Sequence, residues 1–416
     1  MRPNAKKPTM KEDIYNNKMT ATEEAATGAP DLRLDFPITK KTIYMNNGAV
    51  APTPLAVVKA MTDFMVKCSD EGPDALGTSD YITALLKETR TRVAHLINCE
   101  PEEVVLTQST TEGINIVANG ICWQKGDVVI ARGGRHEHPA NYLPWLRLSQ
   151  EKGIVLRELA IDENGFFDVG ALEKAARGSR LVTMSHALYN TGAIMPLEDV
   201  GKIANENNAL FCVDAAQSAG TIKVDVRKIG CHFMAFPGFK WLCGPMGIGV
   251  MYCSKKASEF LEPPSIGGES AIISGDDGNS DFIVAVREMP YKLQTGFRNY
   301  PGACGLEAAL RYMLRVGIDN VRSANIKVAE ALRQELGKIQ GITLHGPEDA
   351  EKRTSIVTFS VPKDPSTIVR KLEEESRTVL AEREVIGGRK IIRAAPHFFN
   401  TVIEAATVAS QIRALL

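Results

Sequence analysis

Seven short apolar runs punctuate the first two thirds of the chain and predict the strands of one sheet. The runs lie at residues 104–106, 128–131, 154–159, 181–185, 210–213, 233–236 and 248–252. Stretches with helical periodicity separate most of them, near residues 138–151, 169–177, 197–207 and 217–229. Continuous apolar strands that alternate with helices are typical of a mostly parallel sheet covered on both faces. The pattern therefore predicts a large α/β domain with a seven-stranded sheet over residues 39–285.

The pattern changes at both ends of this domain. Residues 1–38 are polar and low in complexity, which predicts a flexible tail. Within the domain, a stretch rich in Gly, Pro and Asp at 72–80 predicts a loop before a helix at 81–97. A Gly- and Asp-rich loop at 267–281 precedes a smaller α+β domain, predicted over residues 286–416. Its helices are predicted near 303–315, near 318–337 and from residue 402 onward, and its strands at 342–344, 356–360, 379–383 and 391–394.

Composition and charge describe an ordinary soluble globular protein. The 416 residues are 44% apolar and 24% charged, and the formal net charge is −1. A nearly neutral chain offers no general electrostatic attraction for nucleic acid or for an anionic membrane. No run approaches the roughly eighteen apolar residues of a membrane helix. Because the N-terminus lacks an apolar core, no signal peptide is predicted.

The cysteines favour a reducing compartment. Eight are present, and no two of them form a C-x-x-C pair. Several lie inside apolar runs, which favours buried free thiols over a zinc site or a disulfide framework. This usage is typical of the cytoplasm, where we expect the protein to reside. No cysteine follows Cys304.

Two neighbouring apolar runs each deliver a charged residue at a strand end. Asp214 follows the run at 210–213, and Lys240 follows a Pro237-Gly238 turn after the run at 233–236. Ligand-binding groups in α/β sheets collect at the carboxyl ends of the strands. The pair suggests a Schiff-base lysine with an acidic partner for a pyridinium nitrogen. A surface lysine after a turn is the alternative reading of the same residues.

Five further motifs occur in an order and spacing that resemble a known family. They are Ser109–Gly113, His136–Trp145, Ser185–Gly192, Asp214–Gln217 and Ile392–Thr401. With Lys240, they resemble the class V aminotransferase group of pyridoxal-phosphate enzymes, which includes cysteine desulfurases, selenocysteine lyases and isopenicillin-N-epimerase-like proteins. The resemblance covers residues 43–413. It implies fold type I, the cofactor pyridoxal 5'-phosphate, a small amino-acid substrate and a homodimer.

The resemblance also implies a role for individual residues. Lys240 would form the Schiff base and act as the base, and Asp214 would pair with the pyridine nitrogen. His138 would stack on the cofactor ring and shuttle protons, with His136 as the competing candidate. The remaining residues implied at the site are the phosphate ligands Thr110 and Thr111, the ring-oxygen contacts Asn190 and Gln217, and the substrate contacts Arg393 and Asn47.

The chain departs from the family pattern at three places. No thiol occurs in residues 382–390, where desulfurases carry the cysteine that takes up sulfur as a persulfide. Pro237 and Phe239 stand where relatives place two phosphate ligands. The segment at 295–302 carries Arg298, and in relatives this segment reaches the phosphate of the neighbouring subunit. Our hypothesis is that Arg298 of the partner subunit substitutes electrostatically for the lost ligands.

These features together predict a pyridoxal-phosphate enzyme acting on a small amino acid. The first expectation is a cysteine desulfurase-like C–S lyase that lacks the persulfide cysteine. A class V aminotransferase and an amino-acid epimerase are alternatives, because both need the same lysine and the same carboxylate-binding arginine. A non-catalytic binding relative is a further alternative.

Overall fold

The computed structural model describes residues 32–133, 137–274, 283–384 and 388–416, which contain fifteen strands and eleven α-helices. The strands are β1 Ile43–Tyr44, β2 Val104–Thr107, β3 Val128–Arg132, β4 Val155–Leu159, β5 Leu181–Ser185, β6 Leu210–Asp214, β7 Phe233–Pro237, β8 Gly249–Cys253, β9 Ala271–Ser274, β10 Ile283–Val286, β11 Thr343–His345, β12 Val357–Ser360, β13 Thr378–Val379, β14 Ala381–Glu384 and β15 Lys390–Ala394. The helices are α1 Leu55–Glu71, α2 Leu76–Ile97, α3 Thr110–Gly120, α4 Pro139–Glu151, α5 Val169–Ala176, α6 Leu197–Glu206, α7 Val226–Ile229, α8 Tyr300–Val316, α9 Ile318–Gly337, α10 Pro365–Ser376 and α11 Val402–Leu415.

The seven predicted strands form one mostly parallel sheet, as expected. Its order is β2-β8-β7-β6-β5-β3-β4. Strand β8 runs antiparallel to β2 and β7, and all the other neighbours pair in parallel. The predicted α/β fold with a large seven-stranded sheet is therefore confirmed.

Two apolar cores cover the two faces of this sheet. Successive residues of one strand enter different cores, because side chains alternate across a strand. In β6, Phe211 and Val213 join one core, whereas Leu210 and Cys212 join the other. Burial on both faces explains why the strands read as continuous apolar runs rather than as alternating patterns.

The C-terminal part contains a separate four-stranded antiparallel sheet. Its order is β11-β12-β15-β14, and helices α9, α10 and α11 contribute to the core that packs on it. Helix α10 was not predicted, because Ile368 and Leu372 are its only buried aliphatic side chains besides Pro365. Its start was nevertheless readable, since Asp364 caps the helix and Pro365 occupies its first turn.

The packing does not follow the predicted domain boundaries. Helix α8 lies beyond residue 285, yet its residues Leu306 and Leu310 belong to the same core as Phe236 of the large sheet. Conversely, β1 pairs with β13, and Met45 belongs to the core of the C-terminal part. The predicted tail also ends earlier than residue 38, because Phe36 is fully buried and stacks on Phe399. Residues 1–31 of that tail lie outside the described residues.

Three local predictions are wrong. The helix predicted at 217–229 is only α7, because Gly220 adopts a φ of +95° where the backbone passes closely beside Trp241. Helix α2 begins at Leu76, inside the predicted loop at 72–80. The loop predicted at 267–281 contains β9, which pairs with β10, and residues 275–282 lie outside the described residues. No helix in the described ranges is long and apolar enough to cross a membrane.

Gly201 of α6 lies directly against the backbone of α7. A Cβ atom placed there would overlap the backbone carbonyl oxygen of Ile229 in α7. We expect Gly201→Ala to lower the free energy of unfolding by about 1–3 kcal/mol, the usual range for overpacking. Gly77→Ala is the matched control, because a Cβ at Gly77 meets no atom within 4 Å. Thermal unfolding of the two variants checks this, and equal midpoints would contradict it.

Candidate active site

The carboxyl ends of three adjacent parallel strands place the central residues of the candidate site. Asp214 is the last residue of β6, in register with Ser185 of β5 and Ala235 of β7. Lys240 follows β7 after a short turn. The two predicted central residues, Asp214 and Lys240, therefore come from neighbouring strands and are close enough for each charge to alter the pKa of the other.

The proton states of this pair are set mainly by burial. Burial raises the pKa of Asp214 to about 6, although the backbone N–H of Ala216, which donates to Oδ1 at 2.8 Å, and the charge of Lys240 act against this rise. Burial lowers the pKa of Lys240 to about 8. Asp214 opposes this lowering, whereas Arg393 and Arg383 add to it. At neutral pH Asp214 is mostly ionised, and Lys240 keeps a minor neutral fraction.

His138 caps helix α4 and lies near the ring of Tyr189. Its Nδ1 accepts a hydrogen bond from the backbone N–H of Ala140 at 3.2 Å, and the two ring centroids are 5.3 Å apart. Burial, with a further contribution from Lys240, lowers the pKa of His138 to about 4. The imidazole is therefore neutral, and since Nδ1 accepts, the proton resides on Nε2. The competing residue His136 lies outside the described residues.

The two predicted phosphate ligands occupy the first turn of helix α3. Ser109 caps the helix by accepting from the N–H of Glu112 at 3.2 Å. Thr110 is buried, and Thr111 lines a cleft of about 560 Å³ together with His138. The positive end of a helix dipole favours an anion at this place.

The two predicted ring-oxygen contacts are held in fixed orientations by other protein groups. Gln217 donates from Nε2 to the carbonyl of Gly48 at 2.9 Å and accepts at Oε1 from Trp241 Nε1 at 2.9 Å. Asn190 donates from Nδ2 to the carbonyl of Glu384 at 3.3 Å. Each amide nitrogen carries a second hydrogen, which these bonds leave for a ligand.

The two predicted substrate contacts lie at the junction of the two sheets. Arg393 of β15 is buried and donates to the carbonyl of Tyr189 at 2.7 Å and to Asn46 Oδ1 at 3.1 Å. Asn47 donates to the carbonyl of Ala395 at 2.8 Å. A Cβ on Gly48 would lie 3.3 Å from Arg393 Cζ and equally far from Gln217 Oε1. Arg393, which is implied for the substrate, and Gln217, which is implied for the cofactor, thus both lie beside Gly48.

Arg298 lies apart from these groups within its own chain. It forms an ion pair with Glu269 and donates to the hydroxyl of Tyr300 at 3.1 Å, while its side chain remains 67% exposed. With Gln108 and Glu112, which flank the start of α3, it lines a cleft of about 430 Å³. Among the residues that the structure describes, Glu269 is its ion-pair partner.

Two residues near the site were not assigned from the sequence. Glu137 is buried, forms an ion pair with Arg132 at 3.0 Å and accepts from the N–H of Ser185 at 3.2 Å. It thereby joins the segment before His138 to the end of β5. The position of Glu137 within the motif His136–Trp145 was the signal that could have identified it.

The second unassigned residue is Arg383 of β14. Its charge lowers the pKa of both Lys240 and His138.

The site offers the polar groups that pyridoxal 5'-phosphate and an amino acid require. Of the seven buried side-chain atoms that lack a hydrogen-bond partner among the described residues, three belong to predicted site residues, namely Thr110 Oγ1, Asn47 Oδ1 and Arg393 Nε. Buried polar atoms are normally satisfied, so such atoms indicate places for a ligand. A hydroxyl at a helix N-terminus fits a phosphate, and a guanidinium N–H fits a carboxylate.

Comparisons with known proteins identify the family of the chain. The sequence profile of the family Aminotransferase class-V matches residues 43–385. A probable cysteine desulfurase of Methanothermobacter thermautotrophicus is 36% identical over 388 residues, covering 89% of this chain and 94% of the relative. A probable cysteine desulfurase of Pyrococcus abyssi is 33% identical, covering 91% of this chain and 95% of the relative.

Solved structures show the same fold. The apo structure of a cysteine desulfurase from Thermococcus onnurineus has a TM-score of 0.87 and 32% identity, covering 94% of this chain and 99% of its own. A cystine C–S lyase in complex with its reaction product cysteine persulfide has a TM-score of 0.82 and 26% identity, covering 91% of this chain and 99% of its own. The chain therefore belongs to the aminotransferase class V family of pyridoxal-phosphate-dependent enzymes.

Proposed function

We propose that this enzyme is a C–S lyase that acts on cysteine or a cysteine derivative and releases the sulfur product to solution. The observation that carries the proposal is the absence of any cysteine after Cys304, in the part of the chain where desulfurases hold sulfur as a persulfide. The named relatives and the cystine C–S lyase support cleavage of a C–S bond. With cysteine, the balanced reaction converts cysteine and water into pyruvate, ammonia and hydrogen sulfide.

The cysteine nearest to Lys240 in sequence does not supply the missing thiol. Cys243 is the closest in sequence to Lys240, and its backbone N–H donates to the Lys240 carbonyl at 2.9 Å. Its side chain is fully buried, and burial raises the pKa of the thiol far above its usual range. Since the thiolate is the reactive form, this residue is a poor sulfur acceptor. The sulfur therefore leaves with the product.

The described residues divide the work of such an elimination. When bound, pyridoxal 5'-phosphate supplies a ring that withdraws electrons from the α-carbon of the substrate. Lys240 takes the α-proton at Nζ in its neutral form, and Asp214 holds a compensating negative charge. His138 carries a proton on Nε2 for the departing sulfur. Arg393 orients the substrate carboxylate through Nε.

We further propose that the enzyme works as a homodimer in the cytoplasm. Helix α1 exposes an apolar stripe of Leu55, Val58, Met65 and Val66, which are 46–55% exposed. Exposed apolar patches of this kind mark association surfaces, and a second copy of the chain is the partner that the family resemblance implies. All eight cysteines are free, as in a reducing compartment.

The titration of Lys240 is open to direct measurement. In cofactor-free protein carrying ¹³C-methylated lysines, we expect the Lys240 signal, assigned with Lys240→Ala, to titrate near pH 8, because burial lowers its pKa to about 8. Asp214→Asn should lower that pKa by about 1 or more, since the ionised carboxylate favours the ammonium form. Asp199→Asn, at an exposed position of α6, is the control. An unchanged or raised pKa in Asp214→Asn would contradict the electrostatic pairing.

Product analysis tests the reaction. We expect L-cysteine or L-cystine to yield pyruvate and ammonia in equal amounts, with a reduced sulfur product. Lys240→Ala should lower this rate by about 10²–10⁴-fold, because the base is lost. The exposed Lys223→Ala is the control. The substrate's own keto acid would indicate an aminotransferase, and loss of optical activity an epimerase. Alanine with protein-bound sulfur would indicate a persulfide route, and protein that takes up no cofactor a binding relative.

The contribution of the partner subunit's Arg298 is also testable. We expect Arg298→Ala to weaken pyridoxal 5'-phosphate binding by roughly 10–100-fold, the effect of losing a hydrogen bond to a charged group. Equilibrium dialysis measures the affinity, and light scattering shows whether the variant remains dimeric. Arg311→Ala is the control, because Arg311 is 61% exposed and forms an ion pair with Glu307 in α8. If cofactor affinity does not change, Arg298 is no phosphate ligand.

A further inference from the structure

A buried ion pair lies directly before His138 in the chain. It joins Glu137 Oε1 to Arg132 Nε at 3.0 Å, and neither side chain is exposed. Arg132 is the last residue of β3, and its Nη1 also donates to the carbonyl of Gly165 at 3.0 Å. A buried carboxylate is tolerated only with a counter-charge and further hydrogen bonds, because an ion loses its hydration on burial. Arg132 supplies that counter-charge to Glu137.

Glu137 takes the place of a neighbouring strand at the end of β5. Pairing between β3 and β5 extends to Thr183, which lies opposite Ala131. Beyond this point the backbone N–H of Ser185 donates to both oxygens of Glu137 at 3.2 Å, and its hydroxyl donates to Oε2 at 2.5 Å. Asn141, in the first turn of α4, donates to the same Oε2 at 3.3 Å. One carboxylate therefore connects the ends of two strands to the start of a helix.

The charge of Glu137 also acts on Asp214. Ser185, to which Glu137 is bonded, is in register with Asp214 on β6, and adjacent strands lie about 4.8 Å apart. Burial is the main cause of the raised pKa of Asp214, and the negative charge of Glu137 adds to it. Arg132 lies farther away, because β3 is two strands from β6 in the sheet. Of the two members of the ion pair, the carboxylate is thus the one placed to influence Asp214.

We propose that Glu137 is a positioning residue, which holds His138 at the strand ends and favours a proton between Asp214 and the ring nitrogen of the cofactor. A protonated ring nitrogen makes the cofactor an electron sink, and a second negative charge nearby stabilises that proton. The bonds from Ser185 and Asn141 fix the start of α4, which His138 caps. The role at the ring rests on the proposed function, whereas the action of Glu137 on Asp214 rests on the protein alone.

The titration of Asp214 tests the charge of Glu137 without turnover. In cofactor-free protein with ¹³C-labelled aspartate carboxyl groups, assigned with Asp214→Asn, we expect Asp214 to titrate near pH 6. Glu137→Gln has nearly the native shape and should lower this pKa by about 0.5 or more, because a like charge is removed. Glu137→Asp keeps the charge, so its pKa should lie closer to the native value. Glu158→Gln, at an exposed position of β4, is the control. An unchanged or raised pKa in Glu137→Gln would overturn the proposal.

A double variant provides the same test if Glu137→Gln does not fold. Removing one member of a buried ion pair is strongly destabilising, because the other charge is left unpaired. Glu137→Gln combined with Arg132→Gln removes both charges. We expect the pKa of Asp214 to fall in this variant too, by less than in the single variant, since the lost carboxylate is one strand away and the lost guanidinium two. A native pKa in the double variant would equally overturn the proposal.

Turnover of the cofactor-loaded enzyme tests the positioning of His138. The side chain of Glu137→Asp is one methylene shorter and cannot span the same contacts to Ser185 and Asn141. We expect kcat with L-cysteine to fall by roughly tenfold or more with little change in KM, because a displaced proton donor slows the chemical step. Glu158→Gln should keep the native kcat. Full kcat in Glu137→Asp would contradict the positioning role. If the native enzyme cleaves no C–S bond, the proposed function fails, and the titration of Asp214 alone decides the action of Glu137.

Discussion

The structure depends on keeping a carboxylate and an amine together where water is scarce. Asp214 ends a strand that is buried on both faces, and Lys240 follows the neighbouring strand. Burial disfavours charge of either sign. It raises the pKa of Asp214 to about 6 and lowers that of Lys240 to about 8, and each charge opposes the shift of the other, so both values lie near neutral pH. The parallel sheet produces this pairing, since its strand ends meet at one edge.

The second sheet contributes one of the candidate site residues. Arg393 belongs to β15, yet its guanidinium donates to the carbonyl of Tyr189, which follows β5 of the large sheet, and to Asn46, which follows β1. Strand β1 precedes the large sheet in sequence but pairs with β13 of the C-terminal part. These contacts hold Arg393 in place beside the large sheet. Packing also crosses the predicted boundary, because α8 packs in the large core although it follows residue 285.

The sequence allowed the large sheet to be predicted well, because a parallel sheet buried on both faces leaves an unmistakable apolar pattern. The candidate residues followed from short motifs at strand ends and helix starts, and their assignment to one site stays a prediction. Contacts between residues that are distant in sequence could not be predicted from such patterns. The irregular segment before α7 exists because Gly220 lies against Trp241, some twenty residues away. Glu137 and Arg383 escaped assignment because their contributions to the site involve distant residues, Ser185 for Glu137 and Lys240 for Arg383.

The segment at 382–390 links these observations to chemistry. It contains no thiol, and it contributes Arg383, whose charge lowers the pKa of Lys240. A persulfide cysteine would keep sulfur on the protein, whereas an arginine forms no covalent bond to sulfur. This segment therefore cannot store sulfur as a persulfide, and its cation acts on the site through its charge alone.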